Sequence, residues 1–95
     1  MPQINTEMTE ERAELARAFG EVLRAQRQAM GLSSETLALR AGLDRTYPWL
    51  LERGGRAPSM LVVFCLARVL KISPAKLVEY THRQMAHNRG QGRRG

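Results

Sequence analysis

The chain has 95 residues, 43% of them hydrophobic, which is enough for one small domain with a single core. Its single cysteine excludes an internal disulfide, and the longest apolar run, residues 60–67, is too short to span a bilayer. The formal net charge of +6 at pH 7 favours a polyanionic partner, and the N-terminus lacks the pattern of a signal peptide, so we expect a cytoplasmic protein.

The charge is unevenly distributed along the chain. Residues 1–21 hold five acidic and two basic residues, whereas the remainder carries thirteen basic residues and four acidic ones. The positive potential therefore belongs to the part of the chain after residue 21, as expected for a surface that faces phosphates.

The first predicted element is a long helix. Residues 1–8 are expected to form a flexible N-terminus, and Thr9 is a candidate N-cap because acidic residues follow it, where they stabilise the start of a helix. Apolar residues recur at three- and four-residue steps from Leu15 to Met30. This spacing predicts an amphipathic helix that continues to Gly31.

Two short helices are predicted next, joined by a tight turn. Ser33 is the natural N-cap of a helix over about residues 34–41, and Gly42 can end it in the left-handed conformation. Asp44 can then accept backbone N–H bonds at the start of a third helix, which runs from about residue 45 to residue 53. Together the two form a helix-turn-helix.

Two further helices complete the prediction. Ser59 caps a helix over about residues 60–70, and Ser73 caps one that fades near His87, with Pro74 at its first position. Residues 88–95 are rich in glycine and arginine and are predicted to be a disordered basic tail. The expected fold is all-α, with five helices in one domain over residues 9–87.

The helix-turn-helix spacing and the Glu-Arg-Gly sequence at residues 52–54 resemble the Cro and lambda-repressor-like (Xre) DNA-binding family over about residues 19–80. The resemblance implies a five-helix lambda-repressor-like domain whose third helix enters the major groove of double-stranded DNA. Residues 9–18 then extend the first helix beyond the family pattern. The resemblance further implies a nucleoid-associated regulator without a cofactor, which binds a palindromic operator as a homodimer.

The resemblance assigns the DNA contacts to two sets of residues. The base-facing positions are occupied by Arg45, Thr46, Tyr47, Trp49 and Leu50. The phosphate-facing positions are occupied by Ser33, Ser34, Arg53 and Arg56. Arginine commonly reads guanine, and threonine can approach a thymine methyl group. The alternative for Arg45 is contact with a phosphate or solvent alone.

Three positions on this surface depart from the family pattern. Ser34 stands where a glutamine is usual and is too short for the same bridging contact. Pro48 replaces an aliphatic anchor; it lacks an N–H and disfavours helical geometry at the preceding residue, which predicts a late or loose start of helix three. Trp49 replaces a small or polar residue, and either covers the resulting gap or stacks on the sugar-phosphate surface.

The resemblance also assigns a structural ion pair and an interaction surface. Arg27 and Glu52 match a partly buried ion pair that ties helix one to the end of helix three. Helix four follows the inward pattern of the family at Met60, Val63, Phe64, Ala67 and Leu70. It is apolar nearly all round, so we expect it to be covered on more than one side. The predicted surface for a second subunit, or for a further protein partner, consists of Leu61, Val62, Cys65, Leu77, Val78 and Tyr80.

The functional prediction is a sequence-specific DNA-binding transcription regulator, in the first place a dimeric repressor, and not an enzyme. His82 and His87 lie five residues apart, which is off the one-face spacing of paired metal ligands, and no catalytic motif is present. Two alternatives remain open. One is an antitoxin-type regulator that also binds a toxin, and the other is a protein-interaction module that has lost operator reading.

Overall fold

The computed structural model describes residues 6–92, and all five elements in that range are helices. In chain order they are α1 (Thr6–Ala29), α2 (Ser34–Ala41), α3 (Tyr47–Glu52), α4 (Met60–Leu70) and α5 (Pro74–Gly92). The described residues include no strand, and the all-α, five-helix prediction is confirmed.

Each helix contributes one fully buried leucine to a common core. These are Leu23, Leu37, Leu51, Leu66 and Leu77, in the order of the helices. Burying such a side chain stabilises the fold by roughly 1.5–3 kcal/mol. A helix as short as α3 is not stable by itself in water, so its position depends on this shared core.

Serine caps fix the starts of three helices. The Ser33 hydroxyl accepts from the amide of Thr36 at 3.0 Å, and Ser59 and Ser73 form the equivalent bonds at the starts of α4 and α5. Gly42, with φ of 73°, ends α2 in the left-handed conformation. The turn between α2 and α3 therefore begins where the sequence predicts.

Both ends of the described chain are more helical than predicted. α1 starts at Thr6, three residues before the predicted N-cap at Thr9, and residues 1–5 lie outside the described residues. The predicted disordered tail was wrong over residues 88–92, because α5 continues to Gly92. The reason is packing against α1, where Arg89 pairs with Glu14 and the Asn88 amide donates to Glu21 at 2.7 Å. Residues 93–95 lie outside the described residues.

α1 and α3 approach each other closely at Gly20. A Cβ atom at this position would overlap the carbonyl oxygen of Leu51 and lie 2.9 Å from that of Glu52. Just beyond α3, a Cβ at Gly54 would lie 3.3 Å from the Cα of Arg17. The position of α3 is therefore set by direct backbone contact with α1.

No helix within residues 6–92 is both long and apolar enough to cross a membrane.

Candidate nucleic-acid interface

Asp44 organises the turn that precedes α3. Its Oδ1 accepts from the Thr46 hydroxyl at 2.7 Å and from the Thr46 amide at 2.9 Å. Hydrogen bonding from the Thr46 hydroxyl, then from its amide, lowers the pKa of the Asp44 carboxyl below its ordinary value. These bonds hold Arg45 and Thr46 in an exposed turn at the start of α3.

Pro48 is accommodated at the second position of α3. The third helix starts at Tyr47 and not at residue 45, which agrees with the late start expected from Pro48. The missing N–H of Pro48 falls in the first helical turn, where amides have no intrahelical partner. The ring is fully buried and fills the core in place of the usual aliphatic side chain.

The predicted base-facing residues divide into two groups. Arg45 and Thr46 are exposed, and Trp49 keeps 49% of its surface accessible. Tyr47 and Leu50 are half-buried, and Tyr47 packs against the core. The outward face of this region is therefore built mainly by Arg45, Thr46 and Trp49.

The predicted phosphate-facing residues differ in what they can offer. The Ser33 hydroxyl is engaged in the cap and donates to the Thr36 hydroxyl at 2.9 Å, so the backbone amides at the start of α2 are the donors left there. The Ser34 hydroxyl oxygen is buried and has no hydrogen-bond partner within residues 6–92. Arg53 and Arg56 are exposed on and after the end of α3.

Exposed arginines near α3 are not neutralised by carboxylates of the chain. Among the described residues, Arg45, Arg53 and Arg56 form no ion pair, whereas Arg83 and Arg89 on α5 pair with Glu79 and Glu14. These three arginines consequently leave uncompensated positive charge beside the helix-turn-helix. The guanidinium of Arg53 lies over the ring of Trp49, 4.4 Å from its centroid.

A bidentate ion pair ties α1 to the end of α3. Arg27 Nε donates to Glu52 Oε2 at 2.6 Å and Nη2 donates to Glu52 Oε1 at 2.9 Å, while Nη1 donates to the Leu32 carbonyl at 2.8 Å. The bond to Glu52 raises the pKa of Arg27 above its ordinary value, and this outweighs the opposing effect of burial. One guanidinium thus connects α1, the segment before α2 and the end of α3.

The predicted partner surface needs a correction. Leu77 is fully buried in the core and has no surface to offer a partner, while Val62, Cys65 and Tyr80 are half-buried and pack against that core. Among the predicted residues, Leu61 and Val78 are clearly exposed.

An apolar groove that the sequence reading missed lies between α1, α4 and α5. It has a volume of about 760 Å³, and its apolar walls include Leu15, Phe19, Met60, Val63, Phe64, Val78 and Met85. Met60 and Phe64 were expected to point inward, but they are 75% and 53% exposed. Their four-residue spacing places both on one face of α4, and the exposure of that face in the structure shows that it points outward.

The comparison with known families decides the identity of this helix-turn-helix. A family model described as a helix-turn-helix domain matches residues 18–79, which includes all of α2, α3 and α4. The chain belongs to the Cro and lambda-repressor-like (Xre) helix-turn-helix family. The resemblance on which the site assignment rests is therefore confirmed.

Three relatives illustrate this Xre-family membership. The chain is 36% identical over 55 residues to the uncharacterized HTH-type transcriptional regulator y4dJ of Sinorhizobium fredii, covering 58% of this chain and 71% of that protein. The restriction-modification controller protein C.AhdI of Aeromonas hydrophila is 47% identical, with a TM-score of 0.63, over 65% of this chain and 94% of that chain. The clp gene regulator ClgR of Corynebacterium glutamicum is 27% identical, with a TM-score of 0.77, over 82% and 83%.

The y4dJ protein is described as a transcriptional regulator, C.AhdI as a controller protein and ClgR as a gene regulator, and the family to which this chain belongs is one of helix-turn-helix transcription regulators. Within residues 6–92 there is also no group of three or more His, Cys, Asp or Glu side chains that could hold a metal ion.

Proposed function

We propose that this Xre-family chain is a sequence-specific regulator that binds a palindromic operator in double-stranded DNA as a homodimer and represses transcription there. The observation that carries the proposal is the exposed turn at Arg45 and Thr46, which Asp44 holds at the start of α3. Arginines at the far end of α3 supply positive charge for the phosphates that flank a groove.

The residues before and after α3 are proposed to make different kinds of DNA contact. Arg45 precedes the first helical residue, where recognition helices of this type direct side chains to base edges. Arg56 lies in the loop after α3, where it can neutralise a phosphate but reads no base. The first contact gives sequence preference and the second gives uniform affinity.

The dimer in the proposal uses the apolar groove. Met60, Phe64 and Val78 leave much of their surface exposed along one face of the domain, and such a face on a small protein marks an interaction site. In an isologous pair, the projecting side chains of each copy enter the groove of the other. Two copies related in this way can present their α3 helices to half-sites about 34 Å apart on one side of DNA.

We expect Arg45→Ala to relax the preference at one operator position at a cost of about 1–3 kcal/mol, because a bidentate base contact is lost. Arg56→Ala is the matched control. It should weaken binding to all DNA sequences equally and reduce the dependence of affinity on salt. The measurement is an unbiased binding-site selection with wild-type protein, followed by titrations of the selected site and single-base variants at two salt concentrations.

Two results would contradict the proposal. If wild-type protein binds all sequences weakly and loses that binding as salt rises, the interaction-module alternative is favoured. If Arg45→Ala and Arg56→Ala cause the same loss on every sequence, the roles assigned to these two arginines are wrong.

We expect Phe64→Asp to convert a dimer into a monomer, because the carboxylate would have to be desolvated inside the apolar interface. Leu39→Asp is the matched control, since Leu39 is 81% exposed on α2 and does not line the groove. Sedimentation of wild-type protein and both variants at tens of micromolar makes the test. A monomeric wild-type protein would contradict the homodimer. The groove would then be a candidate site for a different protein partner, as in the antitoxin alternative.

A further inference from the structure

Trp49 and Arg53 form a stacked pair on the outward face of α3. The guanidinium carbon of Arg53 lies 4.4 Å from the centroid of the Trp49 ring, within the range of a cation–π interaction. Thr46, Trp49 and Arg53 follow one another at three- and four-residue steps and therefore share one helix face. The pair continues the exposed surface that begins at the turn before α3.

The backbone beneath this pair is fixed. The Arg53 amide donates to the Trp49 carbonyl at 3.1 Å, and Arg53 is the last residue before Gly54, which packs against the backbone of Arg17. The remaining freedom belongs to the Arg53 side chain. Within residues 6–92 no carboxylate pairs with it, so the Trp49 ring is the group that orients its guanidinium.

We propose that Trp49 is a positioning residue that holds the Arg53 guanidinium in place for a backbone phosphate at the edge of the DNA site. A guanidinium that stacks through its flat face keeps its N–H edge free for a bidentate bond to phosphate oxygens. The ring reduces the conformational freedom that Arg53 must lose on binding. The inference rests on the proposed DNA-binding function and gives Trp49 a role other than reading a base.

A double-mutant cycle tests this role. Trp49→Ala should weaken binding to the selected operator by about three- to tenfold, and equally on its single-base variants, because a phosphate contact carries no sequence information. Trp49→Phe keeps a ring and should stay within about twofold of wild type. The double variant Trp49→Ala with Arg53→Ala should bind about as well as Arg53→Ala alone, because the ring acts through the arginine.

Additive losses in the cycle would overturn the proposal, since Trp49 would then contact DNA by itself or act only through the fold. An unchanged affinity of Trp49→Ala would overturn it as well. Circular dichroism of each variant, with its melting temperature, shows whether the domain is still folded before its affinity is compared.

A second measurement needs no DNA. Trp49 is the only tryptophan of the chain, so tryptophan fluorescence reports on the surroundings of this ring. Arg53→Ala should increase quenching of Trp49 by acrylamide, whereas Arg56→Ala, which removes an unstacked arginine, should not. Equal quenching in both variants would overturn the inference. If the wild-type protein selects no DNA site, the proposed function is contradicted. A difference in quenching between Arg53→Ala and Arg56→Ala would still establish the stacked pair in that case.

Discussion

Replacing Arg27 with methionine should lower the free energy of unfolding by up to about 3 kcal/mol, the lower end of the range for removing one partner from a buried ion pair, because this pair is partly buried. The side chains of Arg27 and Glu52 are only 15% and 10% exposed, and two parallel bonds join them. Methionine would leave the Glu52 carboxylate desolvated without a partner, and the Leu32 carbonyl would lose its donor. Urea denaturation at a fixed protein concentration measures the loss.

The matched control is Arg83→Met. Arg83 also pairs with a glutamate, but its side chain is 72% exposed and the partner lies one turn away on the same helix. Exposed pairs of this kind contribute about 0.3–0.5 kcal/mol. Replacing both Arg27 and Glu52 with apolar residues should recover much of the lost stability, because no charge is then left unpaired. Similar losses in Arg27→Met and Arg83→Met would show that the Arg27 pair contributes no more than an exposed one.

Replacing Gly20 with alanine should destabilise the protein by about 2–3 kcal/mol, in the upper part of the range for overpacked cores. The added Cβ meets backbone carbonyl oxygens of α3, which cannot rotate away as a side chain could. For a domain of this size, each kcal/mol lowers the melting temperature by about 4–8 °C. DNA affinity should fall too, because α3 has to move away from α1.

Gly90→Ala is the control for this experiment. Gly90 also lies within a helix, but a Cβ there meets nothing within 4 Å. Alanine is the better helix former, so this variant should be as stable as wild type or slightly more stable. A melting temperature for Gly20→Ala equal to that of Gly90→Ala would show that α1 and α3 do not depend on a bare glycine at their crossing.

The features that could be predicted from the sequence are those with a local cause. Ser33 and Gly42 mark the ends of α2 by their own side-chain and backbone chemistry, and Pro48 indicates the late start of α3. The family resemblance also placed Arg27 and Glu52, whose bidentate pair is present in the structure. The assigned DNA contacts, by contrast, stay predictions.

The features that the sequence reading missed have distant causes. α5 continues past His87 because Arg89 and Asn88 meet acidic residues of α1 that lie 75 and 67 positions earlier in the chain. Gly20 is a poor helix former by local rules, and only the crossing with α3 explains it. The outward position of Met60 and Phe64 could not be separated from the inward positions by periodicity, because nearly every residue of α4 is apolar.

The first helix, α1, contributes both to the apolar groove and to the support of α3. Leu15 lines the groove and Gly20 seats α3, and these two residues of α1 lie about 7.5 Å apart along a continuous helix. The continuous helix between these two residues fixes the spacing of the docking face and the reading face along α1. A pair of subunits joined through the groove would then accept one separation of operator half-sites, and an inserted base pair would rotate the second half-site out of reach.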